Sequence, residues 1–318
     1  MKKSYRIWSL LPILFFTLFF LSTTAFASKI TVVPLGQSIQ IDLQYGSVFL
    51  NHDVLLEDDY WLRSGDAIHQ INDQTVSNID DLKRQLKNKK QIIIQYERDK
   101  KMYTKDITPD QMMKLFPFLR DATEGIGTLT YYDPETNEFG ALGHQIVDHS
   151  SGVTPKFSEG SIYLSSIQQI KKSIPGKPGY KITSHENNTP PIGGVNENTV
   201  YGVFGKLENK ALANIPMQQM SVAEKEEITT GKAIMRTSID GEKVQDFTIN
   251  ISSVEGHLFQ FTVTDSQLIK RTGGILQGMS GSPILQADKI IGVVTHMYVD
   301  KPKNGAALAI TEMMKKNP

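Results

Sequence analysis

A serine that attacks a carbonyl carbon needs an exposed hydroxyl on a tight turn. It also needs backbone N–H groups aimed at the oxyanion that forms, and a neutral base within reach. The segment Thr272-Gly273-Gly274-Ile275-Leu276-Gln277-Gly278-Met279-Ser280-Gly281-Ser282-Pro283-Ile284 supplies the first two. Gly278 and Gly281 flank Ser280 and accept backbone conformations that other residues resist. The N–H groups of Gly278 and Ser280 then form the oxyanion hole. Ser282 is the rival nucleophile, but Pro283 follows it directly and Ser280 fits the turn better. Beyond this turn the chain makes a hairpin near Asp288 and returns as a strand over 290–295.

The natural base near neutral pH is an uncharged histidine. Seven are present: His52, His69, His144, His149, His185, His257 and His296. His144 stands out in Phe139-Gly140-Ala141-Leu142-Gly143-His144, just after a strand-turn-strand unit. His296 competes, since it lies on the strand that follows the nucleophile. A third group should orient the imidazole, and the residues leave Asp265 and Asp148 both open. Asp148 is only four residues from His144, a spacing that more often gives a surface turn. The chain has no cysteine, which removes thiol nucleophiles, disulfides and cysteine zinc sites together. This chemistry calls for no cofactor and no metal.

These groups must be held by a frame. The chain has 318 residues, enough for about two domains, with 39% hydrophobic and 21% charged residues. Lys plus Arg is 34 and Asp plus Glu is 34. A balanced chain has no global field to attract nucleic acid, so no nucleic-acid partner is expected. From about residue 122 to 318 short β-rich runs alternate with Gly, Pro and Asn turns, the pattern of an antiparallel barrel or sandwich. The stretch 172–194, with three patches of structure-breaking residues, reads as a long ordered loop or an exposed insertion. Residues 106–121 read as a connector with Pro109 and Pro117 as breakers. The first 27 residues carry Lys2, Lys3 and Arg6, then an apolar run, then Ala25-Phe26-Ala27-Ser28. That is the build of a cleaved signal peptide, or of an uncleaved N-terminal membrane anchor, so the body of the protein is expected to be exported.

Residues 28–105 resemble a PDZ domain in Leu62-Arg63-Ser64-Gly65-Asp66-Ala67-Ile68-His69-Gln70-Ile71-Asn72, then Val76 and Asp81-Leu82. Such domains add an extended chain end to a sheet edge. The front departs from that pattern, with only Gly46 where a Gly-rich carboxylate loop is usual. A helix is expected after Asn78, with Ile79, Leu82 and Leu86 on one face, followed by strands over 91–98 and from Met102.

The Gly-x-Ser-Gly-Ser-Pro turn with its following strand resembles that of chymotrypsin-like peptidases, which implies that Thr295 and His296 line the substrate cleft. More specifically, 125–312 is similar to the sporulation stage IV protein B peptidases of endospore-forming bacteria. The carrying residues are Gly125-Ile126-Gly127-Thr128, Gly140-Ala141-Leu142-Gly143-His144, the Ser280 turn and Gly292-Val293-Val294-Thr295-His296. The PDZ-like block and Gly36-Gln37-Ser38-Ile39 extend the likeness forward. The resemblance implies a mainly β chain: a chymotrypsin-like double β-barrel over 122–318, preceded by a small α+β PDZ-like domain. It implies a triad of His144, Asp265 and Ser280. It further implies a serine endopeptidase that is exported into the space between the two forespore membranes and cleaves itself. Its other partner would be a regulatory protein restraining an intramembrane protease, whose cutting releases a late sigma factor. The competing expectations are a non-catalytic PDZ-type scaffold and a general secreted protease.

Overall fold

The structure is a computed structural model and describes residues 30–56, 59–147, 156–184, 189–208 and 215–316. The leader at 1–27, Asp148, His149 and His185 lie outside the described residues. Among the described residues no helix is long and apolar enough to cross a membrane.

Twelve strands, labelled in chain order, build two closed barrels. The first comprises β1 (Ser38–Leu50), β2 (Leu119–Asp133), β3 (Glu138–Ala141), β4 (Glu159–Leu164), β5 (Gly193–Thr199) and β6 (Gly202–Leu207). The second comprises β7 (Gly231–Asp240), β8 (Lys243–Glu255), β9 (Leu258–Val263), β10 (Pro283–Gln286), β11 (Lys289–Tyr298) and β12 (Lys301–Ala309). Pairing around the first runs β1-β2-β3-β6-β5-β4 and back to β1. Around the second it runs β7-β8-β9-β12-β11-β10 and back to β7. All these pairs are antiparallel. The two barrels share one winding order although the sequence shows no repeat. This is the chymotrypsin-like double β-barrel expected from the sequence.

Alternation fills each barrel. Ile39, Ile41 and Leu43 of β1 point inward to Leu129, Phe139, Ile162 and Val203, while Gln40, Asp42 and Gln44 stay outside, as the period of two requires. Met235, Ile249, Phe259, Phe261 and Ile284 fill the second barrel. A third cluster, with Tyr131, Phe204, Leu285, Val293 and Ile310, combines residues of both barrels with the C-terminal helix Ile310–Met314.

The domain boundaries differ from those read in the sequence. The β1 strand lies within 28–105, yet it pairs with both β2 and β4. The barrel therefore starts near Ser38, and the small α+β module is inserted between its first two strands. The reason is that β1 is long: its first half is barrel, and Val48 and Phe49 pair with the strand Ala67–Ile71 of the module. That strand pairs with Ile92–Arg98, which pairs with Lys101–Ile107. Helix α1 (Ile79–Leu86) starts at an Asn78 cap, whose side chain accepts from the Asp81 N–H. The expected connector contains helix α2 (Pro109–Leu115), with Pro109 at its first turn and a Thr108–Gln111 capping box. Pro109 thus begins α2, and Pro117 lies within the short 3-10 turn Phe116–Phe118 that follows it, so neither breaks a helix.

The Gly65-Asp66 pair is an anchor of this module. Asp66 is 1% exposed; its carboxylate accepts from the Arg63 N–H and from Arg98 Nε at 2.7 Å. Removing one partner of such a buried pair leaves the other uncompensated. We expect Asp66→Ala to destabilise the module by about 3 kcal/mol, read as a lower midpoint in chemical denaturation.

Candidate active site

The Ser280 turn is built as its glycines predict. Gly278 has φ 91° and Gly281 φ 94°, both in the left-handed region that favours glycine. The N–H groups of Met279, Gly281 and Ser282 donate to the carbonyls of Leu276, Val294 and Met279. These bonds fix the turn that leads into β10. Gly281 must also be small, because a Cβ there would stand 2.1 Å from Thr128 O and 2.6 Å from Leu142 N. The turn is thereby seated on the segment that leads to His144. Thr128 locks it from the other side: its N–H donates to Ser280 O at 3.0 Å and its hydroxyl to Gly278 O at 2.8 Å.

Ser280 is half-buried. Its hydroxyl donates to Thr295 O at 2.9 Å, so in this resting arrangement it rests against the edge of β11. Ser282 is 0% exposed and its hydroxyl has no hydrogen-bond partner. A group sealed in the core cannot meet a substrate, which adds burial to the sequence-based reason for preferring Ser280.

His144 follows Leu142 and Gly143, which have φ 71° and 70° and turn the chain out of β3. Its Nδ1 lies 2.9 Å from Gln145 O. A carbonyl only accepts, so Nδ1 carries the proton and the neutral ring keeps its lone pair on Nε2. That is the tautomer a general base requires. The exposed ring of His296 faces it at 5.7 Å between centroids, tilted by 32°. The structure thus brings together the His144 segment, the Ser280 turn, Thr295 and His296.

Asp265 has a role in the backbone of its own segment. It is the N-cap of helix α3 (Ser266–Thr272), and its Oδ1 accepts from the N–H groups of Gln267 and Leu268 at 3.0 and 2.9 Å. It follows β9, and β12 lies between β9 and the strand β11 that carries Thr295 and His296. At about 4.8 Å per strand step, that is roughly 10 Å across the sheet. The carboxylate that the resemblance assigned to the triad is engaged in capping this helix, which ends at Gly273 and leads into the Ser280 turn.

Sequence reasoning also missed Lys181. It lies on the strand Gly179–Ser184, inside the stretch expected to be loop or insertion. This strand pairs with Ser166–Lys171 on one side and, in parallel, with Leu276–Gln277 on the other. Tyr180 and Ile182 face out and Lys181 faces in, so the alternation was legible, but nothing marks a lysine as buried. Among the described residues no group of metal-ligating side chains is present.

A family model described as SpoIVB peptidase S55 matches residues 111–314. A search of curated proteins found no match. Among solved structures, the active form of the Rv3671c protease from M. tuberculosis aligns at 12% identity and TM-score 0.37, over 61% of this chain and 73% of that one. A Glu endopeptidase in complex with MPD aligns at 14% identity and TM-score 0.38, over 60% of this chain and 83% of that one.

Proposed function

Because the chain belongs to the SpoIVB peptidase S55 family and is a serine endopeptidase, we propose that Ser280 is its nucleophile and His144 its general base. One observation carries this reading: the glycine-flanked Ser280 turn is seated directly on the Leu142-Gly143 segment that precedes His144. The Ser280 hydroxyl rotates from Thr295 O to His144, gives up its proton to Nε2, and attacks the scissile carbonyl carbon. The oxyanion is received by the N–H groups of Gly278 and Ser280. His144 then returns the proton to the leaving amine, and water resolves the acyl-enzyme by the same steps in reverse. Beyond Val294, β11 offers an extended substrate its Thr295-His296 edge.

The substrate in this proposal is a regulatory membrane protein that restrains an intramembrane protease, together with the chain itself. The site of action is the space between the forespore membranes, reached through the N-terminal leader, and the outcome is late sigma-factor release during sporulation. The support is the family and the residues quoted above. Co-expression with the candidate regulator tests it: cleavage of that regulator by the wild type and not by Ser280→Ala is required, and an uncut regulator beside self-cleaved enzyme refutes this substrate.

Asp265→Asn separates two roles. An amide caps a helix about as well as a carboxylate, so as a cap the variant loses less than about tenfold in turnover. As the acid orienting the base it would lose about 10⁴-fold. The geometry favours the small effect, and initial rates of the two proteins decide it.

A further inference from the structure

Lys181 is 3% exposed. In register it comes next after the Tyr180–Gln277 pair, which sets it beside Gly278. Its Cδ lies 3.3 Å from where a Cβ on Gly278 would stand. The amine is two bonds further on, so it lies within about 6 Å of that point, with single bonds of about 1.5 Å. The amine's hydrogen-bond partner is Thr237 Oγ1, at 3.4 Å. Among the described residues no carboxylate pairs with it.

We propose that the Lys181 ammonium, held behind Gly278, is the through-space countercharge to the oxyanion formed at Ser280. Lys181 is a positioning residue in this reaction: it touches no reacting atom and acts on charge gathered by the Gly278 and Ser280 N–H groups. The inference rests on the peptidase reading above and extends it.

The surroundings leave this amine few competitors. On β7 it meets Thr237; the neighbouring Arg236 is paired with Asp246 and Asp240 with Arg271. On Ser166–Lys171 its ladder partner is Ile170, and the Lys171 amine turns to the ring of Tyr180. Glu124 lines the same cavity of about 420 Å³, together with Gln40, Ile126, Tyr180 and Gln277, and is exposed. A cation in a site of low dielectric acts on a developing anion far more strongly than in water. Burial has a second consequence: it lowers the amine from its ordinary value of 10.5 to about 7. The unfolded chain holds this proton up to about pH 10.5, whereas the folded chain releases it near 7. The burial penalty is therefore complete below about pH 7 and disappears as pH rises toward 10.5.

The test compares full-length wild type with Lys181→Met on a fluorogenic peptide copied from the mapped self-cleavage site. We expect kcat to fall about 10- to 100-fold, as loss of a nearby unit charge in a site of low dielectric implies, with KM within about twofold because the oxyanion is absent from the ground state. The Met variant should melt higher than wild type at pH 6, and the gap should close as pH rises to 10. Wild-type kcat/KM should decline above about pH 7 and the variant's should not, since only the wild type has this amine to deprotonate. An unchanged kcat, or a fall in kcat together with a lower melting temperature, overturns the proposal. Should Lys181→Met fail to fold, the wild-type profile alone decides, and a flat alkaline side overturns it. The Ser280→Ala protein separates the two levels. If it cleaves as well as wild type, the nucleophile reading itself fails; if it is dead while Lys181→Met behaves as wild type, only the lysine inference falls.

Discussion

Ser280→Ala should abolish self-cleavage and cleavage in trans, lowering kcat by about 10⁵- to 10⁶-fold and leaving only what the oxyanion N–H groups and substrate binding supply. The fold should be untouched, because the hydroxyl makes a single hydrogen bond, to Thr295 O, at a half-buried position. The paired control is Ser282→Ala. That hydroxyl is buried without a partner, and removing an unsatisfied polar group from a core is neutral or stabilising. Activity close to wild type and an equal or higher melting temperature are expected there. The assignment fails if Ser282→Ala is the dead variant, or if Ser280→Ala retains measurable self-cleavage in a time course on a denaturing gel.

The second large effect is at His144. Replacing it with Ala removes the proton acceptor and should reduce kcat by about 10⁵-fold or more. Groups that act as one unit are strongly non-additive, so Ser280→Ala/His144→Ala should be no slower than Ser280→Ala alone. His296→Ala serves as the comparison. Its ring faces His144 but is exposed, and its loss should reduce the rate by less than about tenfold, a change characteristic of cleft contacts rather than of proton transfer. A crippled His296→Ala beside an active His144→Ala would exchange the two roles, and a double variant far slower than both singles would show that Ser280 and His144 do not work together.

Local signals were legible in the sequence. The strand Ala67–Ile71, the Asn78 cap with α1 behind it, and the Asp99-Lys100 turn at φ 50° and 62° all follow from residues near one another. So did the backbone of the Ser280 turn, because its glycines answer a demand within four residues. What escaped depends on distant partners. No neighbour of β1 reveals that Gln44 will pair with Ala122, so a long strand shared by two bodies looked like the start of one. Lys181 is buried because strands from three parts of the chain converge on it. Asp265 is the instructive case: an Asp before Ser266-Gln267-Leu268, with Gly273 closing the helix at φ 77°, is also a start-and-stop signature of a short helix. The same side chain fits two patterns, and its hydrogen bonds place it in the cap, while the rates of Asp265→Asn decide on the other.

The inserted module also decides what a protease nick would look like. Its entry and exit strands are zipped together from Ser38 opposite Thr128 to Leu50 opposite Leu119. A cut at any surface turn of the module therefore leaves two pieces clasped along that ladder, with both barrels whole. Such a molecule would separate into fragments once denatured yet travel as one particle under native conditions. Trimming ahead of Thr31, in contrast, removes none of the described strands. Loss of mass on a denaturing gel is thus a poor guide to loss of the enzyme.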